Sequence, residues 1–104
     1  MIPSFRVTPR AFEDLKNIGR YTLSQWGRQQ RDAYLRGLDA RFAWLAQQPL
    51  LGRQRDEVAS GYRSYRHEAH LIFYVIRNGG IDIIGVPHQA MDIPRYFDGD
   101  EASI

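Results

Sequence analysis

The chain has 104 residues, with 14 Lys or Arg, 12 Asp or Glu and no cysteine. That length makes one domain, able to bury roughly 65% of its unfolded surface around a single core. The missing cysteine excludes a disulfide framework, thiolate metal sites and a cysteine nucleophile. No apolar run approaches the ~18 residues that a membrane span requires. The stretch Met1-Ile2-Pro3-Ser4-Phe5-Arg6 has no charged flank leading into an apolar segment, which predicts no secretion signal and a cytoplasmic protein.

Charge is unevenly spread. Residues 98–104 hold Asp98, Asp100 and Glu101 and no base. They read as an acidic, flexible tail behind a single domain of residues 1–97. The body then carries 14 bases against 9 acids, and every base except Lys16 is arginine. The guanidinium makes planar, bidentate contacts to carboxylate and phosphate, so such a body suits an acidic protein or nucleic-acid partner.

Phe5-Arg6-Val7 alternates apolar and charged and reads as a short strand, placed at a sheet edge by Pro3. Thr8-Pro9 is a helix start signal. Ala11, Leu15, Ile18, Thr22 and Trp26 then recur at helical spacing until Gly27 closes the run. Tyr34, Leu38, Phe42 and Leu45 repeat the period in a second helix ending at Gln48, because Pro49 disfavours helix at the residue before it. A connection this short makes the two an antiparallel hairpin. Residues 50–61 show no sustained period and read as a loop. The period then becomes two: a strand over 62–67, a turn at Glu68-Ala69, a strand over 70–77, a hairpin loop at Asn78-Gly79-Gly80 and a strand over 81–88. Residues 92–97 suit one helical turn.

The predicted class is α+β, in the order β-α-α-β-β-β, with the helical hairpin laid on a small antiparallel sheet. The first helix is about 27 Å long at 1.5 Å per residue. The strand over 70–77 is about 26 Å at 3.3 Å per residue, so one layer covers one sheet face. A three-residue hairpin loop sets Tyr74 opposite Ile84, Ile72 opposite Val86 and His70 opposite His88. Ile72, Tyr74, Ile76, Ile84 and Val86 then face the helices. Leu71, Phe73, Val75, Ile81, Ile83 and Pro87 form a second apolar face. Such a face is either covered by the loop or the C-terminal segment, or marks an interaction surface.

Candidate chemistry lies on the strands. His67, His70 and His88 sit on them or at their ends, with Arg63, Arg66 and Arg77 nearby and Arg95 and Tyr96 following. A metal-free ribonuclease needs a base, an acid and cations for the phosphate, and His70, His88, Arg77, Arg95 and Tyr96 offer that inventory. The competing reading is that the histidines pack at strand ends and hydrogen-bond locally. No metal-ligand spacing, phosphate loop or nucleophile elbow is present, so neither metal nor cofactor is expected. Trp26, Tyr34, Phe42 and Trp44 read as core or groove residues.

An ordered set of motifs resembles the toxins of bacterial type II toxin–antitoxin systems in the RelE/ParE superfamily, and most closely the ParE branch. It runs from Thr8-Pro9-x-Ala11-x-x-Asp14-Leu15-x-x-Ile18-x-x-Tyr21 through Trp26-Gly27. Leu45-Ala46-x-x-Pro49-x-x-Gly52-Arg53-x-Arg55-Asp56-Glu57 follows, then Gly61-Tyr62-Arg63-Ser64. His70-Leu71-Ile72-Phe73-Tyr74 and Val86-x-His88-x-x-Met91-Asp92 complete it. The match covers residues 5–97. It departs at Gly85 and Pro87, where the family usually carries larger residues.

The resemblance implies inhibition of DNA gyrase by binding, without catalytic residues. It also implies neutralisation by a ParD-like antitoxin and contact with operator DNA only through the antitoxin complex. On this reading Leu71, Phe73, Val75, Ile81 and Ile83 with Arg53, Arg55, Arg63 and Arg66 are the antitoxin-binding candidates. The RelE branch cuts ribosome-bound mRNA with basic and tyrosine residues. Tyr96 lies near that branch's C-terminal tyrosine, but Arg53 and Arg55 stand where its lysine cluster would be. The alternatives to a ParE-like toxin are thus a RelE-like endoribonuclease and a non-toxic co-repressor module.

Overall fold

The structure is a computed structural model that describes residues 3–102 and, within them, the side chains of residues 3–98. Strand β1 (Ser4–Val7) leads into helix α1 (Pro9–Trp26). The Thr8 side chain accepts a hydrogen bond from the Ala11 amide, and Pro9 fills the first helical position. Gly27, at φ 89°, ends α1 and at once precedes α2 (Arg28–Gln47), so a single residue turns the hairpin. A positive φ there is why glycine suits the position.

The buried stripe of the hairpin is Ala11 and Ile18 on α1 with Leu38, Phe42, Leu45 and Ala46 on α2. It packs on Ile72 and Tyr74 of β4 (His70–Arg77), Ile81 and Ile83 of β5 (Gly80–Gly85), and Val86. Burying a large aliphatic side chain contributes about 1.5–3 kcal/mol, so this stripe holds the two layers together.

The sheet has five strands in the order β1-β5-β4-β3-β2, where β2 is Arg53–Gln54 and β3 is Arg63–His67. It is mixed, not wholly antiparallel: β1 lies at the edge as expected but runs parallel to β5. Thr8 fixes this junction, because its amide and its hydroxyl both donate to the Ile83 carbonyl. Gly80 faces Ser4 across the β1–β5 pair, and the Ser4 carbonyl fills the space a Cβ would need. Residues 50–61 are not wholly loop either. They hold part of a 3₁₀ turn at Pro49–Leu51, then β2, then a turn in which Asp56 accepts the Gly61 amide.

The register differs from expectation in one informative way. Arg77 pairs with Gly80, so the hairpin loop is two residues, Asn78 and Gly79. Tyr74 lies opposite Ile83, not Ile84. A bulge then places Phe73 opposite Gly85, with Ile84 as the extra residue, and beyond it His70 pairs with His88 as expected. The bulge reverses the facing of β5 near the turn. Ile81 and Ile83 belong to the helix-facing core and are fully buried, while Ile84 is not part of that core. Val86 faces the helices as expected, and Ile76 is exposed.

The second sheet face is therefore smaller than expected and partly covered. Helix α3 (Ile93–Ala102) is longer than one turn and is preceded by Asp92, whose carboxylate accepts the Arg95 amide. It takes in residues 98–102 of the expected tail, and residues 103–104 lie outside the described residues. Phe97 stacks edge-on against Phe73, and the Arg55 guanidinium lies 5.1 Å from the Phe73 ring centre on the same side. Phe73 is fully buried. Of the five apolar candidates, only Leu71 and Val75 keep partial exposure on that face.

Candidate functional site

A cleft of 740 Å³ opens where the free end of the helical hairpin meets the His70–His88 end of the sheet. One wall is a single stripe of α1: Asp14, Ile18, Tyr21, Thr22 and Trp26, spaced three and four apart so that they stack on one face. The opposite wall is the β3–β4 turn and the segment after β5, from Glu68 to His70 and from Val86 to His88. Tyr34 of α2 closes the cleft between them. Trp26 is 71% exposed, Tyr21 65% and Met91 52%, so the rim is a set of large side chains with little cover.

The imidazoles sit in a local hydrogen-bond chain. The Tyr34 hydroxyl lies 2.7 Å from His70 Nδ1. Along this bond either the hydroxyl donates to an unprotonated Nδ1 or an Nδ1–H donates to the hydroxyl oxygen, according to the imidazole tautomer. His88 Nδ1 accepts the Ala90 amide at 3.0 Å. The two rings meet edge to face with centres 5.4 Å apart. Burial foremost, then the neighbouring His88 and His67, lowers the His70 pKa to about 4. His70 is thus neutral at physiological pH. His67 is also pushed down by burial, with Arg41 3.5 Å from its Nδ1. Among the described residues, no group of three His, Cys, Asp or Glu is placed to hold a metal ion.

Asp14 ties three elements together beside the cleft. Its Oδ2 accepts the Val86 amide at 2.8 Å and also the Tyr96 hydroxyl of α3. Burial, the hydrogen bond and the charge of Asp14 all raise the Tyr96 pKa. The absence of a side chain at Gly85 makes room for this contact: a Cβ there would meet the Tyr96 hydroxyl and lie 3.1 Å from the ring. The small residue that departs from the family pattern is thus matched to the tyrosine.

The structure brings together only part of the expected ribonuclease inventory. His70 and His88 are neighbours. Arg77 stands at the far end of β4, roughly 23 Å away at 3.3 Å per residue, where it and Arg6 share Asp82. Arg95 is exposed on α3. The arginines among the antitoxin-binding candidates also divide. Arg53 and Arg66 are exposed, whereas Arg63 donates to the Gly52 carbonyl at 2.7 Å. Arg55 holds Glu57 and Ser64, and only 15% of its side chain is exposed. Of the aromatic residues read as core or groove, Phe42 is core and Trp44 packs edge-on against Tyr65. The sequence placed Asp14 and Met91 only in the family-like motifs and Glu68 only in a turn, without a site role for any of them. An acid at the centre of the Ala11–Ile18 stripe was the available signal for Asp14.

A chain of the chromosomal ParDE system of Pseudomonas aeruginosa superposes with a TM-score of 0.72 at 18% identity, covering 84% of this chain and 96% of that one. The α+β fold is therefore shared with a toxin–antitoxin system structure. The family model described as "ParE toxin of type II toxin-antitoxin system, parDE" matches residues 5–93. Toxin ParE1 of Mycobacterium tuberculosis strain H37Rv is 36% identical over 96 residues, spanning 91% of this chain and 98% of that protein. Toxin ParE1 of Caulobacter vibrioides is 33% identical over 93 residues, spanning 89% and 96%. The chain belongs to the ParE toxin family of type II toxin–antitoxin systems.

Proposed function

We propose that this toxin acts by binding rather than by catalysis, with DNA gyrase as its target and a ParD-like antitoxin as its neutralising partner. Operator DNA is reached only through the antitoxin complex, and the site of action is the cytoplasm. One observation carries the preference for binding. The hydroxyl of Tyr96 is engaged by the Asp14 carboxylate, which holds its proton in place. A phenol so held is poorly suited to exchange a proton with RNA at neutral pH. Antitoxin contact is assigned to the exposed remainder of the candidate set: Leu71 and Val75 on the open sheet face, with Arg53 and Arg66 as peripheral charge.

The His70–His88 pair favours the endoribonuclease as the second reading, since two imidazoles at one cleft are a possible acid and base. Gyrase supercoiling and cleavage assays beside a ribosome-bound mRNA cleavage assay separate the two. Trapped gyrase–DNA cleavage products with intact mRNA are expected. Cleaved mRNA abolished by His70→Ala or His88→Ala, in folded variants, would establish the ribonuclease instead.

A further inference from the structure

The cleft reverses the charge of the chain around it. The protein carries 14 bases against 12 acids, yet no Lys or Arg lines the cleft among the described residues, while Asp14 and Glu68 both do. Their fields reach inside: burial lowers the His70 pKa and the charge of Asp14 opposes that shift in part, while Glu68 adds to burial in raising that of Tyr34. Three aromatic residues, Tyr21, Trp26 and Tyr34, share the lining. Aromatic faces beside carboxylates attract a cation, through ring quadrupole and charge together. The volume lies within the range that buries a ligand or a short peptide segment.

We propose that this cleft binds a short segment of a partner protein that carries an apolar anchor next to one arginine or lysine. The anchor packs against Ile18 and Trp26, and the cation lies between the aromatic rings and Glu68. An acidic segment meets two carboxylates here and is repelled, whereas the exposed arginines elsewhere on the chain accept it. The two surfaces therefore do not compete: the acidic cleft selects a cationic segment, and the exposed arginines outside it take acidic ones. The proposal does not depend on gyrase being the target, and a negative gyrase assay leaves it standing.

The test is selection of random dodecapeptides displayed on phage against the immobilised full chain, with counter-selection on a Tyr21→Ala/Trp26→Ala double variant. Both removed side chains are exposed, so their loss leaves the core intact. The most enriched peptide is then synthesised and titrated calorimetrically into wild type and Glu68→Gln, whose side chain is 70% exposed in the parent. The expected peptides pair Arg or Lys with an apolar residue and are depleted in Asp and Glu. Glu68→Gln should weaken binding about threefold, and exchanging the peptide's base for Glu should weaken it about tenfold. Enrichment of acidic peptides overturns the proposal, as does an absence of peptides that discriminate wild type from the double variant. Self-association in sedimentation that Trp26→Ala abolishes would assign the cleft to a second copy, which also overturns it. Should the double variant fail to fold, the Glu68→Gln titration and the charge-exchanged peptide decide alone.

Discussion

Tyr34 of α2 and His70 of β4 are joined by a 2.7 Å hydrogen bond that links the helical hairpin to the sheet at the open end of the core. Burial at this junction is the first cause of the lowered His70 pKa, because a charged imidazole loses its water there. Protonation would also place charge against His88 and His67, the two further causes of the lowered pKa.

The pH dependence follows from that geometry. The His70 pKa falls from 6.5 in the unfolded chain to about 4 in the fold. Between those values the unfolded state binds more protons, so stability rises with pH across this window. The contribution is complete above pH 6.5 and lost as pH falls toward 4. Discounted for the exposed part of the ring, it amounts to about 1–3 kcal/mol. Urea unfolding of wild type and His70→Gln at pH 7.5 and pH 4.5 checks it. The wild type should lose more stability between the two than the variant, and equal losses would contradict the assignment.

Gly85 and Tyr96 form a matched pair. Gly85→Ala should cost about 1–3 kcal/mol, because the added methyl displaces the ring from Asp14. Tyr96→Phe removes the hydroxyl that the methyl would strike first. In the Gly85→Ala/Tyr96→Phe double variant the cost should therefore be smaller than the sum of the single costs. The coupling energy from a double-mutant cycle in urea is the readout. Strict additivity would mean that α3 does not dock through this contact in solution.

Tyr74 anchors the turn after α2 from inside the core. Its hydroxyl accepts the Gly52 amide at 2.8 Å and donates to the Pro49 carbonyl at 2.8 Å. Tyr74→Phe leaves both backbone groups without that partner, at a cost of about 2–3 kcal/mol. Chemical denaturation should show a lower midpoint with an unchanged slope. A changed slope would mean that the 3₁₀ turn itself comes loose.

The contrast between what was legible in the sequence and what was not has a common physical origin. Local signals placed α1 at Pro9–Trp26 and β4 at His70–Arg77, because capping residues and side-chain period act within a few residues. The single extra residue Ile84 was invisible, since a bulge leaves no periodic trace in a run as apolar as Ile81–Val86. That one residue moved Ile81 and Ile83 from the expected docking face into the core. Likewise the parallel pairing of β1 depends on contacts with β5 some 75 residues away in sequence. The cleft was hidden for the same reason: Asp14 and His88 line one cleft only after α1 packs on the end of the sheet.

Arg53 and Arg55 stand two residues apart and should behave differently. Arg55 is a strut: it bonds Glu57 at 2.7 Å and Ser64 at 2.9 Å and covers the Phe73 ring. Arg55→Ala should cost about 1–2 kcal/mol, from the lost cation–π contact and the buried Ser64 hydroxyl left without its partner. Arg53 is exposed on the edge strand β2, and Arg53→Ala should change stability by less than about 0.5 kcal/mol. On the proposed reading that an acidic antitoxin tail docks here, Arg53→Ala should instead slow association and reduce its salt dependence, with little change in dissociation. Denaturation of both variants, with antitoxin-binding kinetics of Arg53→Ala at two salt concentrations, separates the roles. A large stability loss in Arg53→Ala, or a stable Arg55→Ala, would reverse the assignment of strut and rim.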